Sequence, residues 1–170
     1  MFVLGIDPGL TVTGYGVIEI GSGEPRAVAA GVIRTDPAEP MARRLADLHT
    51  DITDVVRSLE VDEAAVEEVF VNRNLHTAMA VGRASGVAML ALAQAGVPVT
   101  EYTPSAVKLT VTGSGSAAKV QVARVVAMRL GLVEPPSPPD AADALAVALC
   151  HSQALPMRVA LGRSAAGGHT

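Results

Sequence analysis

The stretch from Phe2 to Gly9 constrains the fold more than any other. An apolar run, Phe2 to Leu4, is closed by Gly5-Ile6-Asp7-Pro8-Gly9. A short apolar run bounded by Gly and Pro reads as a buried strand. Asp7 then stands at the carboxyl end of that strand, where Pro8 and Gly9 turn the chain. A charged group ending a buried strand is costly unless it is paired or liganded. These residues admit two readings: a carboxylate offered to a metal or a phosphate, or an Asp that caps its own turn.

The pattern downstream supplies the neighbours. Thr13 to Ile20, with glycines at 14 and 16, and Ala27 to Thr35 read as two further strands, joined through Gly21-Ser22-Gly23-Glu24-Pro25. Three strands linked by short turns make an antiparallel meander. Met41, Leu45, Leu48, Ile52, Val55, Val56 and Leu59 then recur at helical spacing, with Arg43, Arg44, Asp47, Asp51, Asp54 and Arg57 on the charged face. Val61 to Phe70 reads as a fourth strand, and strand–helix–strand suggests a crossover to a parallel neighbour. A helix rich in Ala and Gly over 74–95 and a fifth strand, Val97 to Tyr102, follow. Thr103 is a good N-cap, with Pro104 opening a short helix to Val111. After the small-residue loop 112–118 come helices over 119–130 and 140–155, separated by a Pro-rich connector. The order predicts an α/β fold, a five-stranded mixed sheet flanked by helices. It is the ribonuclease H-like order, shared with other folds. One domain is expected over 1–155, and the Gly, Ser and Ala of 156–170 predict a disordered tail.

Composition limits what such a domain does. The chain has 170 residues, 49% hydrophobic but only 2% aromatic, so its core must be aliphatic. A net charge of −4 argues against a general basic surface for nucleic acid, while leaving room for a local basic strip. A single cysteine, Cys150, rules out an internal disulfide and reads as a small core residue. No run of 18 apolar residues free of charge predicts a membrane span. The start carries no basic region typical of a signal peptide, so a cytoplasmic protein is expected.

Three more carboxylates draw attention. Glu67 and Glu68 lie within the fourth strand and point to opposite faces, so one of them must face the interior or a site. Asp140 and Asp143 open the last helix on one face. Helix capping alone would account for Asp140, yet Ala144 to Leu149 follows Asp143 directly, so Asp143 borders a buried face. Asp7, Glu67, Asp140 and Asp143 converge if the first and fourth strands are adjacent. Four converging carboxylates cannot all stay ionised without a cation. Oxygen donors with room for water suit Mg²⁺ or Mn²⁺, and a pair of such ions can activate water and stabilise the leaving oxygen of a phosphodiester. His49, His76, His151 and His169 are scattered and offer no zinc site.

Four blocks together carry a family resemblance: Gly5-Ile6-Asp7-Pro8-Gly9 with Thr13-Gly14-Tyr15-Gly16, Val66 to Phe70, Val111 to Lys119, and Asp140 to Ala146. In order and spacing they resemble the RuvC Holliday-junction resolvase family, across roughly residues 1 to 155. The resemblance implies a ribonuclease H-like fold, a homodimer, and divalent-metal hydrolysis that places symmetric nicks across a four-way DNA junction. It implies that Asp7, Glu67, Asp140 and Asp143 are the catalytic, metal-binding carboxylates, holding Mg²⁺ (or Mn²⁺), two ions per site. It implies that Lys108 and Lys119 lie near the DNA backbone, that Phe70 wedges into the junction, and that the RuvA and RuvB branch-migration proteins are partners. Arg73 is a further candidate for a backbone contact. Ala118 departs from the family pattern, which has an acidic residue there, and bears on how Lys119 is held.

Two rivals remain at this point. An actin-like phosphotransferase opens with a similar strand, but needs a second phosphate loop and a larger, two-lobed chain. A non-catalytic junction-binding protein on the same fold would show the loss of a carboxylate, and all four are present.

Overall fold

β1 (Phe2–Asp7), β2 (Val12–Glu19) and β3 (Arg26–Arg34) form the expected antiparallel meander in the computed structural model, which describes residues 1–69 and 75–166, with side chains through Leu155. The chain continues through α1 (Met41–Ser58), β4 (Glu63–Glu67), α2 (Leu75–Gln94) and β5 (Val99–Tyr102) to α3 (Pro104–Thr112), α4 (Lys119–Arg129) and α5 (Pro139–Ala166). The sheet order is β3-β2-β1-β4-β5, with β4 parallel to both β1 and β5.

Side-chain alternation divides the core into two layers. Leu4, Ile6, Ala64 and Val66 face α1 and α2, where they meet Leu48, Ile52, Val56, Ala84, Ala88 and Leu92. Val3 and Ala65 face the other way, toward α3, α4 and α5, and meet Val107, Val122, Val126, Leu145 and Leu149. The same period puts Gly5, Asp7 and Glu67 on the α5 side of the sheet. His151, fully buried on α5, ties that helix to the sheet through Tyr102 Oη at 3.0 Å and Glu63 Oε2 at 3.3 Å. Cys150 is buried, as its place in an apolar helix predicts.

Some boundaries move. β4 stops at Glu67, short of the expected end at Phe70; beyond it Glu68 N–H still donates to Tyr102 O, at 2.8 Å. Phe70 and Arg73 lie outside the described residues. The backbone of α5 continues to Ala166, past Leu155, where the sequence pattern ends it. The Thr103 cap is present, its hydroxyl accepting from Ala106 N–H at 3.2 Å.

Two assignments of faces change. Arg44, expected on the charged side of α1, is 8% exposed. In α2 the small residues Ala84, Ala88 and Ala91 are core, whereas Leu75, Met79, Gly82, Gly86 and Leu90 form an exposed stripe at spacings of three and four. By length and hydropathy α2 is long and apolar enough to cross a membrane. Its alanine face is nonetheless packed in the core, and Arg83 on its outer side is exposed.

Candidate metal and phosphate site

Asp7 ends β1 and Glu67 ends β4, and the parallel pairing runs to Ile6 opposite Val66. The next residue on each strand is therefore a carboxylate, and both leave the sheet on the α5 side at the same end. This is the carboxyl edge of parallel strands, where open α/β sheets bind ligands.

The third element arrives because the sheet is stripped of side chains where α5 crosses it. A Cβ on Gly5 would collide with the carbonyl oxygen of Ala144 and the backbone nitrogen of Ala148. A Cβ on Gly14 would collide with the carbonyl of Asp140. Glycine within a strand permits such close backbone approach. The first turns of α5 thus lie against β1 and β2, and Asp140 and Asp143 are carried to Asp7. Gly14 and the helix from Asp140 are both visible in the sequence, but that the one packs directly on the other is not.

The turn after Asp7 is held from both sides. Thr13 Oγ1 donates to Gly9 O at 2.6 Å and accepts from Gly9 N–H at 3.3 Å. Thr35 Oγ1 donates to Leu10 O at 2.5 Å. Arg44 donates from Nε to Thr35 Oγ1 at 3.0 Å and from Nη2 to Thr11 Oγ1 at 2.9 Å. Among the described residues it makes no ion pair with a carboxylate. A buried guanidinium bonded to neutral hydroxyls is an expensive device, and here it fixes the turn that presents Asp7. Helical periodicity misses it, because Arg43 beside it is solvated and the two look alike in sequence.

The electrostatics show that the four carboxylates share one neighbourhood. The Asp7 carboxyl is pushed up from 3.8 to about 8, first by burial, then by the charges of Glu67 and Asp143, with Asp140 adding and Lys119 opposing. Glu67 is raised by burial and by Asp143, against a hydrogen bond from Asp7 and the charges of Lys119 and Lys108. Protonated Asp7 thus donates to Glu67. Lys119 Nζ donates to Asp143 Oδ2 at 2.5 Å, and this bond raises its own ammonium pKa against the cost of burial. Lys108 joins Glu67, Lys119 and Asp143 around a cavity of about 110 Å³. Lys119 opens α4 from an N-cap, Ala118, that makes no side-chain cap bond. Six of the eight expected site residues therefore gather here, and the remaining two, Phe70 and Arg73, lie outside the described residues.

Among the described residues no trio of Asp, Glu, His or Cys side chains is drawn tightly enough to encircle an ion in this arrangement. Counter-charge comes instead from the Lys119 ammonium and the Asp7 proton. The donor set still fits a hard divalent cation. It is all carboxylate oxygen, it comes from three elements, and its buried members ionise only against strong mutual repulsion, which a cation removes.

The family model described as "Crossover junction endodeoxyribonuclease RuvC" matches residues 3–151. A curated relative of that description from Moorella thermoacetica is 49% identical over 158 residues, which span 93% of this chain and 95% of the relative. Another, from Salinispora arenicola, is 52% identical over 152 residues, 89% of this chain and 87% of the relative. The structure of T. thermophilus RuvC in complex with Holliday junction substrate superposes with a TM-score of 0.86 at 41% identity, covering 92% of this chain and 96% of that one. The yeast mitochondrial Holliday junction resolvase shares the fold, with a TM-score of 0.60 at 12% identity over 87% of this chain and 77% of that one.

Proposed function

This chain belongs to the crossover junction endodeoxyribonuclease RuvC family, and from that premise we propose that it resolves four-way DNA junctions by paired nicks in homologous recombination and repair. The observation that carries this reading is the convergence of Asp7, Glu67, Asp140 and Asp143 beside two lysines on a fold similar to that of a junction-bound relative. A binding protein without catalysis has no use for carboxylates held at such electrostatic cost. The phosphotransferase reading falls with the family assignment.

In this reading Asp7, Glu67, Asp140 and Asp143 hold Mg²⁺ or Mn²⁺, two ions per site. Bound there, divalent cations supply Lewis-acid activation of a water and stabilise charge on the leaving oxygen. The protein's part is positional. The β1 and β4 ends hold two carboxylates, while α5 presents two more, Asp140 from its first turn and Asp143 from the next. Lys108 and Lys119 lie on one side of the carboxylates, where they neutralise a phosphate that the acids alone would repel. Lys119, whose own side chain is exposed, reaches its phosphate by leaving the largely buried Asp143, which then turns to the cation. Phe70 and Arg73, which lie outside the described residues, are proposed DNA contacts in this reading.

Two symmetric nicks require two active sites, hence a homodimer. The exposed stripe Leu75, Met79, Gly82, Gly86 and Leu90 on α2 is the proposed seam: large apolar residues at its ends, and between them glycines where an added Cβ would meet none of the described residues. The RuvA and RuvB branch-migration proteins are the proposed partners at the junction, in the cytoplasm. The test offers the purified chain a four-way junction and a linear duplex of the same sequence with Mg²⁺. Selective, symmetric cutting of the junction is expected; equal cutting of both, or of neither, overturns the assignment.

A further inference from the structure

A second cavity adjoins the carboxylates. The groove between α4, the proline connector and the start of α5 measures about 480 Å³, and it shares Lys119 and Asp143 with the smaller cavity over Glu67. Its walls are Val120, Ala123, Ala142, Pro135 and Pro136, with Arg124 beside them. Val120 is 64% exposed, an apolar side chain left at the surface. Nothing in the proposed chemistry at the carboxylates uses this groove.

We propose that the groove takes one unstacked nucleotide of the cut strand, next to the phosphate held at the carboxylates. This rests on the junction-nuclease reading above. Three observations choose the occupant. The first is continuity: a strand whose phosphate lies by Lys119 and Asp143 must continue past residues that belong to both cavities. The second is charge: Lys119 and Arg124 are cationic, and the one acid in the lining, Asp143, belongs to the carboxylate set proposed to hold a cation. That suits a polyanion and disfavours an acidic or neutral peptide. The third is size and surface. About 480 Å³ is in the range of small-ligand pockets, room for a nucleotide but not for a helix. Aliphatic walls accept the flat face of a base, and an Arg guanidinium can stack on it.

A base paired within a continuous duplex cannot enter such a groove. One beside a branch point leaves its stack at least cost. The groove therefore contributes to selecting a junction over a linear duplex, by requiring a base that only the branch point yields cheaply.

The experiment uses the full chain carrying Asp7→Asn, to prevent cutting, in Mg²⁺. Four-way junctions carry 2-aminopurine at each position flanking the cleavage site, and a dye on a distal arm reports binding by anisotropy. 2-Aminopurine is quenched by stacking, and none of the lining residues is aromatic. The expected result is a rise of about twofold or more at one flanking position on the junction, and none on the linear duplex. Ala123→Leu, which fills the groove, and Val120→Glu, at an exposed position, each remove the rise while anisotropy still reports junction binding. A rise that survives both substitutions, or no rise at any position on a fully bound junction, overturns the proposal. Failure of the parent to bind the junction at all overturns instead the reading on which it rests.

Discussion

Replacing Asp7 by Asn should stabilise the protein while destroying its activity. In the folded chain the Asp7 carboxyl titrates at about 8 instead of 3.8, because burial and the neighbouring acids oppose its ionisation. Between those values the folded chain holds a proton that the unfolded chain has released. Protonation of Asp7 therefore supports the fold fully below pH 3.8, and that support is lost as pH rises through about 8. Relative to a side chain that never ionises, the cost grows by about 1.4 kcal/mol per pH unit over this window, reaching about 4 kcal/mol near pH 7. Asn is neutral, nearly isosteric, and can still donate to Glu67. Because Glu67, Asp143 and Asp140 remain, part of the burden persists, so the gain near pH 7 is set at about 1–4 kcal/mol. For a domain of this size that is roughly 3–12 °C in Tm. The assay is calorimetric melting of both proteins in EDTA, near pH 5 and near pH 8. The advantage of the Asn variant should be several-fold larger near pH 8. A variant that melts lower than the parent, or by a margin independent of pH, refutes the electrostatic account of the site.

Other substitutions probe the scaffold. Gly14→Ala drives a Cβ into the Asp140 carbonyl. It should cost about 1–3 kcal/mol by overpacking and lower the cleavage rate about a hundredfold by displacing Asp140 and Asp143, with junction binding retained; an unchanged rate in single-turnover assays would refute the backbone-contact argument. Arg44→Ala removes a donor from each of the hydroxyls of Thr11 and Thr35 and should lower stability by about 1–3 kcal/mol in urea titration. Arg44→Lys should recover only part of that, since an ammonium lacks the fork that spans both hydroxyls. Leu90→Lys, on the exposed stripe of α2, should halve the mass seen by light scattering without altering the circular dichroism, whereas an unchanged mass moves the dimer seam elsewhere.

Much of this was legible in the sequence, for identifiable reasons. Strand alternation and short turns announce the meander, and the helical spacing of Met41, Leu45, Leu48 and Ile52 announces α1. The sequence leaves the adjacency of β1 and β4 as a condition, and the parallel pairing of the two strands meets it, bringing Asp7 and Glu67 to one end of the sheet. Contacts set by three-dimensional approach were not legible. Arg43 and Arg44 are chemically alike, and only the position of Thr11 and Thr35 decides which is buried. The Ala- and Gly-rich composition of α2 does not separate its faces: Ala84 belongs to the core and Gly82 and Gly86 to the exposed side, and composition does not record which way a helix faces. Lys119 was readable as a cation near DNA but not as the partner of Asp143, because the α4–α5 approach that joins them is a tertiary fact.

The central claim is that carboxylates from β1, β4 and α5 make one metal site. Crystals soaked in Mn²⁺ and measured at the manganese edge test it most directly. The account predicts anomalous peaks at the carboxyl ends of β1 and β4, ligated by oxygens of Asp7 and Glu67 together with Asp140 or Asp143, with Lys119 displaced from Asp143. Full-occupancy manganese elsewhere on the protein, with these four side chains left unligated, would contradict it.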